Sequence, residues 1–347
     1  MTTDAPDVIH SGEIWLKSQC QVQEEQLVGD IYTCLQQYGY QNINPISHTR
    51  SIWQRGDQTV VVSLVDDLWD CAVDRSQDTP YLFDRNTTVI TDNFLNCPSI
   101  YRLCRTPQSF YGIYSYTPEN INWTPDRDYT FAVNRLDFKR MQVLLQLYQN
   151  LGFDSGYVNF NCRLGRHILT PEHRRQAFIE QVNNYSGDQR ETTALLNLAN
   201  QMPIKNHNLE HDSVYNQSWL NIIVETYSSD NVISTSEKIF RCLVTPVPWI
   251  AYAGRYTIAK LRELGFDVMD DIVDHSYDQL LEVQHKMPKL ANSAKETIAY
   301  VKNLPWSQAK SRCQAAAFHN QTLLEELSRI WKDNQHVWLQ QLARDIR

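Results

Sequence analysis

Residues Trp219 to Asp278 read WLNIIVETYSSDNVISTSEKIFRCLVTPVPWIAYAGRYTIAKLRELGFDVMDDIVDHSYD. The apolar run Leu220–Val224 is short and rich in Ile and Val, which predicts a buried strand. A polar loop follows, and SEKIFRCLV predicts a short helix that Pro246 and Pro248 stop. Trp249 to Ala253 makes a second buried strand, broken by Gly254. RYTIAKLRELGF then carries apolar residues at helical spacing and ends at Gly265. Strand, helix, strand, helix is the pattern of a parallel sheet covered by helices.

In such sheets ligands gather at the carboxyl ends of the strands, where loops and helix N-termini present donors. Glu225 and Thr226 end the first strand, Ser234 to Lys238 open the helix, and Gly254, Arg255 and Tyr256 follow the second strand. Ser234 and Glu237 also fit a capping box, in which Glu237 only ties back to the cap N–H. That leaves Lys238, a cation beside a helix N-terminus that already attracts anions. A nucleotide diphosphate would use both.

Upstream, Tyr116 to Asp128 is rich in Pro, Asn and Asp without periodicity and reads as a linker. Its Asp126-Arg127-Asp128 matches the D-x-D of metal-dependent sugar transferases, but it precedes a strand, so it is read as loop. Tyr129–Val133 is that strand, Leu136 to Leu151 a helix ending at Gly152, and Tyr157–Phe160 the next strand. This is a complete βαβ unit. Asn134 and Arg135 follow its first strand, where a phosphate would meet the helix N-terminus, with Lys139 and Arg140 close behind. A surface ion pair of Arg135 with Asp137 is the other reading. No glycine-rich phosphate loop occurs anywhere, neither GxGxxG nor a Walker motif. Phosphates would have to be held by Arg, Lys and helix N-termini.

The N-terminal half reads as a small α/β domain with more strand than helix. Val22 to Tyr38 predicts a helix, and Thr59 to Leu64 and Thr88 to Thr91 predict strands, with shorter ones at Ile100–Leu103 and Phe110–Tyr114. Asp66 and Asp67 follow the strand at Thr59 and have two readings, a catalytic base at the sheet mouth or a loop entry and helix cap. Downstream, Leu169–Asn184 and Arg190–Met202 predict helices. His207, His211 and Asp212 match no standard metal spacing and read as a solvated loop. Ser276 to Arg347 is nearly all helix, expected to break at Pro288 and Pro305.

With 347 residues, two domains each have enough chain for a core. Hydrophobic residues are 42% and charged residues 21%, which argues against bulk disorder. Tyr (18) and Trp (9) are plentiful while Gly (11) is scarce, so packed aromatic surface is favoured over long loops. The formal charge of −8 gives no global attraction to nucleic acid or to an anionic membrane. No apolar stretch is long enough for a membrane helix, and the N-terminus lacks the pattern of a signal peptide. Eight cysteines without CxxC or CxxH spacing read as free thiols of a reducing compartment, so a cytoplasmic location is expected.

A Glu closing a strand, a polar loop, Ser236-Glu237-Lys238 opening a helix, and Pro-Trp-Ile-Ala-Tyr-Ala-Gly thereafter resemble the donor-binding half of fucosyltransferase-like glycosyltransferases. Phage-encoded relatives of that group tend to end in a segment similar to LRELGFDVMDDIVDHSYD. The resemblance begins at about Tyr129. It departs from the usual Thr-Glu-Lys and has a somewhat longer loop after Glu225.

The resemblance implies two Rossmann-like α/β domains in a GT-B-like arrangement with a long helical tail. On that reading residues 1–125 form the acceptor domain, 126–278 the nucleotide-sugar donor domain and 279–347 a tail that packs back across the first domain. The donor would be contacted by Asn134, Arg135, Glu225, Ser236, Glu237, Lys238, Arg255 and Tyr256. Glu237 would serve the ribose or base side and Lys238 the phosphates, with Asp66 or Asp67 as the base. Transfer would invert the sugar, with a nucleotide sugar as co-substrate and neither a metal nor another cofactor. A glycan, a protein or modified DNA would be the acceptor. In the DNA case the basic run Arg163 to Arg175 would meet phosphates. The rival reading is a non-catalytic descendant of this fold, a structural or interaction protein such as one of a virus particle or its assembly in a host cytoplasm, with its C-terminal helices as the partner surface.

Overall fold

The computed structural model describes residues 28–47, 50–63, 87–91, 94–95, 102–105, 122–133, 138–152, 155–160, 163–164, 167–168, 171–183, 189–201, 215–225, 232–233, 235, 237–280 and 282–345. It is an α/β protein with a parallel sheet, many helices and a helical C-terminal part. The chain divides into two compact units, neither of them one continuous stretch. The first is Met1–Ser115, Tyr227–Phe240 and Thr322–Arg347, and the second is Tyr116–Thr226 and Arg241–Gln321. Among the described residues no helix is long and apolar enough to cross a membrane.

In the first unit a helix over 28–37 (α1) sets Val28, Ile31 and Leu35 on one buried face. The chain leaves it through Gly39, whose φ of 79° is open to glycine without strain. Three antiparallel strands follow, Gln41–Ser47 (β1), Arg50–Arg55 (β2) and Gln58–Ser63 (β3). Arg55 faces Gln58 across the two-residue turn Gly56–Asp57, and Gly56 supplies the positive φ (60°) that a right-twisted hairpin requires. Thr87–Thr91 (β4) and Arg102–Arg105 (β6) extend the sheet in parallel, giving the order β1-β2-β3-β4-β6. Phe94–Leu95 (β5) pairs separately with Val232–Ile233 (β12).

Trp53, Val60 and Val62 of this sheet pack on α1, and the cluster is completed by Leu342 from the end of the chain's last helix. The predicted strand at Thr59 is found. The predicted strand at Phe110–Tyr114 and the carboxylates Asp66 and Asp67 lie outside the described residues.

The second unit is built on Arg127–Val133 (β7), Gly156–Phe160 (β8), Ser218–Val224 (β11) and Trp249–Tyr252 (β13), all parallel, in the order β13-β11-β7-β8. A short hairpin, Arg163–Leu164 (β9) and His167–Ile168 (β10), precedes the helices Pro171–Asn183 and Gln189–Gln201. In chain order the helices after α1 are Phe138–Leu151 (α2), Pro171–Asn183 (α3), Gln189–Gln201 (α4), Glu237–Val244 (α5), Thr257–Glu263 (α6), Val283–Asn303 (α7) and Trp306–Asp345 (α8). Leu144 and Leu147 of α2, Leu290 and Ala294 of α7, and Ala309 and Cys313 of α8 share one core with Phe131, Ile222 and Ile250 of the sheet. The near-continuous apolar burial of β11 and β13 is what a parallel strand covered on both faces needs.

Two expectations are corrected. Pro288 does not break the tail: it lies inside α7, where it removes one N–H near the helix start while Met287, Leu290 and Ala291 stay buried around it. The D-x-D is not loop throughout, because β7 begins at Arg127. Asp126 accepts the Tyr157 hydroxyl at 2.9 Å and Asp128 pairs with Lys302, so both carboxylates serve the amino end of the sheet.

Candidate functional site

The order of the parallel sheet locates a crevice. From β7 the chain passes through α2 to β8 on one side, then returns through β11 to the other side of β7, with β13 beyond it. The direction of winding reverses between β7 and β11, and the carboxyl ends of such a strand pair are where an open α/β sheet receives ligands. Ile222 pairs with Phe131, and two residues further along each strand the sheet ends at Val224 and Val133. Glu225 is the next residue of one strand, and Asn134 and Arg135 are the next of the other. Asn134 and Arg135 lie outside the described residues.

Glu225 is buried, at 2% exposure, and its N–H donates to the Tyr252 oxygen at 2.9 Å, so its backbone stays in line with β13. Its carboxylate acts on the thiol of Cys242 in α5. Burial foremost pushes that thiol up to about 12, with Arg241 opposing and Glu225 adding to the rise. Arg140, in the first turn of α2 just after β7, is buried at 3% exposure. A buried carboxylate thus ends β11, and a buried arginine lies in the first turn of the helix that follows β7.

At the end of β13 the backbone is pinned from several sides. Lys286 of α7 is buried and donates from Nζ to the Ala253 oxygen at 2.7 Å, with its ammonium 5.4 Å from the Tyr252 ring centre. The Thr257 hydroxyl donates to the Gly254 oxygen at 2.7 Å. Tyr256 caps α6 in the left-handed region, φ 66°, a conformation a bulky residue adopts only where its surroundings impose it. Its N–H donates to the Asp278 oxygen at 3.1 Å. The Asp278 carboxylate accepts the Ala259 N–H at 3.1 Å, and burial raises its pKa above the usual carboxylate range. Arg255 donates from Nε to the Gln279 oxygen at 2.9 Å and lies 4.5 Å over the Tyr256 ring. A guanidinium and a phenol ring thus form a stacked pair on strained backbone, with Tyr256 36% exposed.

Among the sequence candidates, the structure brings Arg255 and Tyr256 together and sets Glu225 one strand away, hydrogen-bonded to β13. Glu237 and Lys238 are the first two residues of α5 and belong to the first unit, whereas Glu225, Arg255 and Tyr256 belong to the second. Lys238 is half-buried. Ser236 lies outside the described residues, as do His207, His211 and Asp212. Among the described residues no three His, Cys, Asp or Glu side chains form a group able to hold a metal ion.

Lys286 was absent from the sequence candidates although a signal existed. It falls on the spacing of Leu290, Ser293 and Thr297, all buried, so it is a lysine on the core-facing side of its helix. The chain matches no protein-family model, no curated protein and no solved structure.

Proposed function

We propose that the chain is a glycosyltransferase of the fucosyltransferase-like, GT-B type, taking its sugar from a nucleotide-sugar donor at the carboxyl edge of the parallel sheet. The observation that carries this reading is the reversal of winding between β7 and β11, flanked in sequence by Asn134–Arg135 and by the buried Glu225. Arg255 and Tyr256 supply a cation and an aromatic face at the adjoining strand end. The packing of Trp338, Leu339 and Leu342 from the last helix into the core of the first unit supports the GT-B reading, in which a C-terminal helix returns to the first domain.

In the proposed reaction Arg135 and Lys238 offset the charge that develops on the departing diphosphate. Asp66 or Asp67 takes the proton of the acceptor hydroxyl as that oxygen attacks the anomeric carbon from the opposite face. The sugar is inverted and the nucleoside diphosphate leaves.

The test is a thermal-shift titration with GDP, UDP, ADP and CMP on the parent chain and on Lys238→Ala. A nucleotide at about a hundred times its dissociation constant adds about 2.7 kcal/mol to stability. Stabilisation by one nucleotide, lost in the variant, supports the reading and identifies the donor class. Cooperative melting unmoved by every nucleotide would replace it with the non-catalytic, structural reading.

A further inference from the structure

The second unit holds a cavity of about 450 Å³ beside the site just described, within the size range of small-molecule pockets. The segment Asp270–Gln279 forms most of its wall, Arg262 of α6 closes one side, and Tyr300 of α7 stands at the other. What it can hold follows from how its charges are arranged.

Each carboxylate at the cavity already has a partner. Asp270 receives Arg262 through two bonds of 2.6 Å, Asp271 receives Arg312 at 2.8 and 2.5 Å, and Asp274 pairs with Lys289 at 2.8 Å. Asp278 is occupied by the Ala259 N–H. Three of the four carboxylates face a cation, with Arg312 shared between Asp271 and Asp267, so the wall keeps a negative excess and an anion entering it would give up hydration against a repelling field.

The pairing leaves hydrogen-bonding capacity unused. A carboxylate has about four lone-pair sites, and the side chains of Asp270, Asp271 and Asp274 are 51%, 55% and 42% exposed. The ion pairs hold these acceptors in fixed planes, the exposed Gln279 adds an amide that both donates and accepts, and the Ser276 hydroxyl, which donates to Asp274 at 3.0 Å, adds an acceptor. Apolar surface comes from Tyr300, 48% exposed at the rim, since Ile272 and Val273 of the wall are themselves buried. The complement of such a wall is a neutral molecule with a C–H face for the ring and a dense rim of hydroxyls for the fixed polar groups.

We propose that this cavity binds a neutral saccharide of one or two rings, its C–H face on Tyr300 and its hydroxyls on the Arg262–Asp270 and Asp274–Ser276 side. The proposal stands on the cavity alone and does not require the transferase reading. If both hold, the sugar lies next to Arg255, because the Gln279 that lines the cavity also accepts the Arg255 Nε–H.

The experiment is isothermal titration, with saturation-transfer NMR, of the full chain against glucose, galactose, mannose, N-acetylglucosamine and maltose at up to about 50 mM, with spermidine as a cationic probe. Parent chain, Tyr300→Ala, Tyr300→Phe and Ser276→Ala are compared, each first shown to melt cooperatively. At least one saccharide is expected to bind with little dependence on salt. Tyr300→Ala weakens it about tenfold and Tyr300→Phe retains it. Ser276→Ala, at the opposite wall, weakens it as well and reports on the cavity should Tyr300→Ala fail to fold. Silence from all five saccharides, binding indifferent to both substitutions, or a preference for spermidine that salt abolishes overturns the proposal. Nucleotide stabilisation is read in a separate titration, so the failure of one reading is not mistaken for the failure of the other.

Discussion

Nδ1 of His275 lies 3.0 Å from the hydroxyl of Tyr277, inside the second unit. Nε2 of the same ring is 2.8 Å from the Val268 oxygen, which can only accept, so Nε2 carries the proton and Nδ1 receives the tyrosine O–H. The Tyr277 oxygen in turn accepts the Ala251 N–H at 3.2 Å. Ala251 is on β13, the edge strand of the sheet, so this chain of bonds satisfies a group that would otherwise be left open. It has no place for a second proton on the imidazole.

The pH dependence of stability follows from that. Burial, opposed by the bond to Val268, lowers the His275 pKa to about 4, with Asp270 and Asp274 favouring the charged form and Arg262 opposing it. The unfolded chain takes up this proton near its ordinary value of about 6.5, so between those two values the unfolded state binds more protons and stability rises with pH. The contribution is complete above about pH 6.5 and lost as pH falls toward 4, a change of about 3 kcal/mol. Urea unfolding across this window measures the slope, and His275→Gln is expected to flatten it. Asp274, lowered to about 2 by Lys289 foremost, acts below this window, whereas Asp278, raised by burial, holds its proton longer in the folded state and opposes the His275 slope at the acid end. An unchanged slope in the variant would assign the pH dependence elsewhere.

Arg312 serves two carboxylates with one guanidinium, reaching Asp267 at 2.8 and 2.9 Å and Asp271 at 2.8 and 2.5 Å. Arg312→Ala is expected to cost about 1–2 kcal/mol, since the partners are partly exposed and regain water. Arg312→Lys is expected to recover less than half, because a single ammonium cannot span both carboxylates as a planar fork does. Chemical denaturation of the two variants decides it; full recovery by lysine would mean that charge alone matters.

A Cβ on Gly156 would stand 2.4–2.6 Å from the ring of Tyr129 on the neighbouring strand. That ring is fully buried, with its hydroxyl donating to the Gly152 oxygen at 2.6 Å, so it has nowhere to retreat. Gly156→Ala is expected to destabilise by about 1–3 kcal/mol through overpacking. Gly156→Ala with Tyr129→Phe should remain impaired, since the ring carbons themselves are in contact; rescue by Phe would place the conflict at the hydroxyl.

Tyr256 separates stability from binding. Glycine at this position removes the cost of the left-handed backbone, so Tyr256→Gly should leave stability unchanged or raise it by up to about 1 kcal/mol. The same change removes the ring under Arg255 and should weaken the nucleotide stabilisation on which the proposed function rests. A variant that binds nucleotide as well as the parent would take this pair out of the donor site.

The central sheet was legible because its signals are local. Leu220–Val224 and Trp249–Tyr252 are apolar runs bounded by Pro and Gly, and α2 shows its core face in the spacing of Met141, Leu144 and Leu145. β1 was not legible: Gln41–Ser47 is polar, contains Pro45 and pairs with register shifts, so its strand character comes from β2 and not from its own residues. The Gly56–Asp57 turn did carry a hairpin signal.

At the candidate site, the positions of Glu225, Arg255 and Tyr256 at strand ends followed from pattern. The stacking of Arg255 on Tyr256 and the left-handed Tyr256 did not, since tyrosine is disfavoured there and only the surrounding bonds enforce it. The buried pair of His275 and Tyr277 was hidden for a similar reason. Each is polar by type, and only tertiary contact makes them interior.

Leu342 fills the same cluster as Ile31 and Trp53. In synthesis it leaves the ribosome 311 residues after Ile31, an interval on the order of half a minute at about 10 residues per second. Until then the sheet of the first unit has α1 but not the last helix over its apolar cluster, while the second unit, complete at Gln321, can already close. A chain stopped between Gln321 and Leu342 would therefore keep the second unit whole and leave the cluster of Ile31 and Trp53 without the last helix.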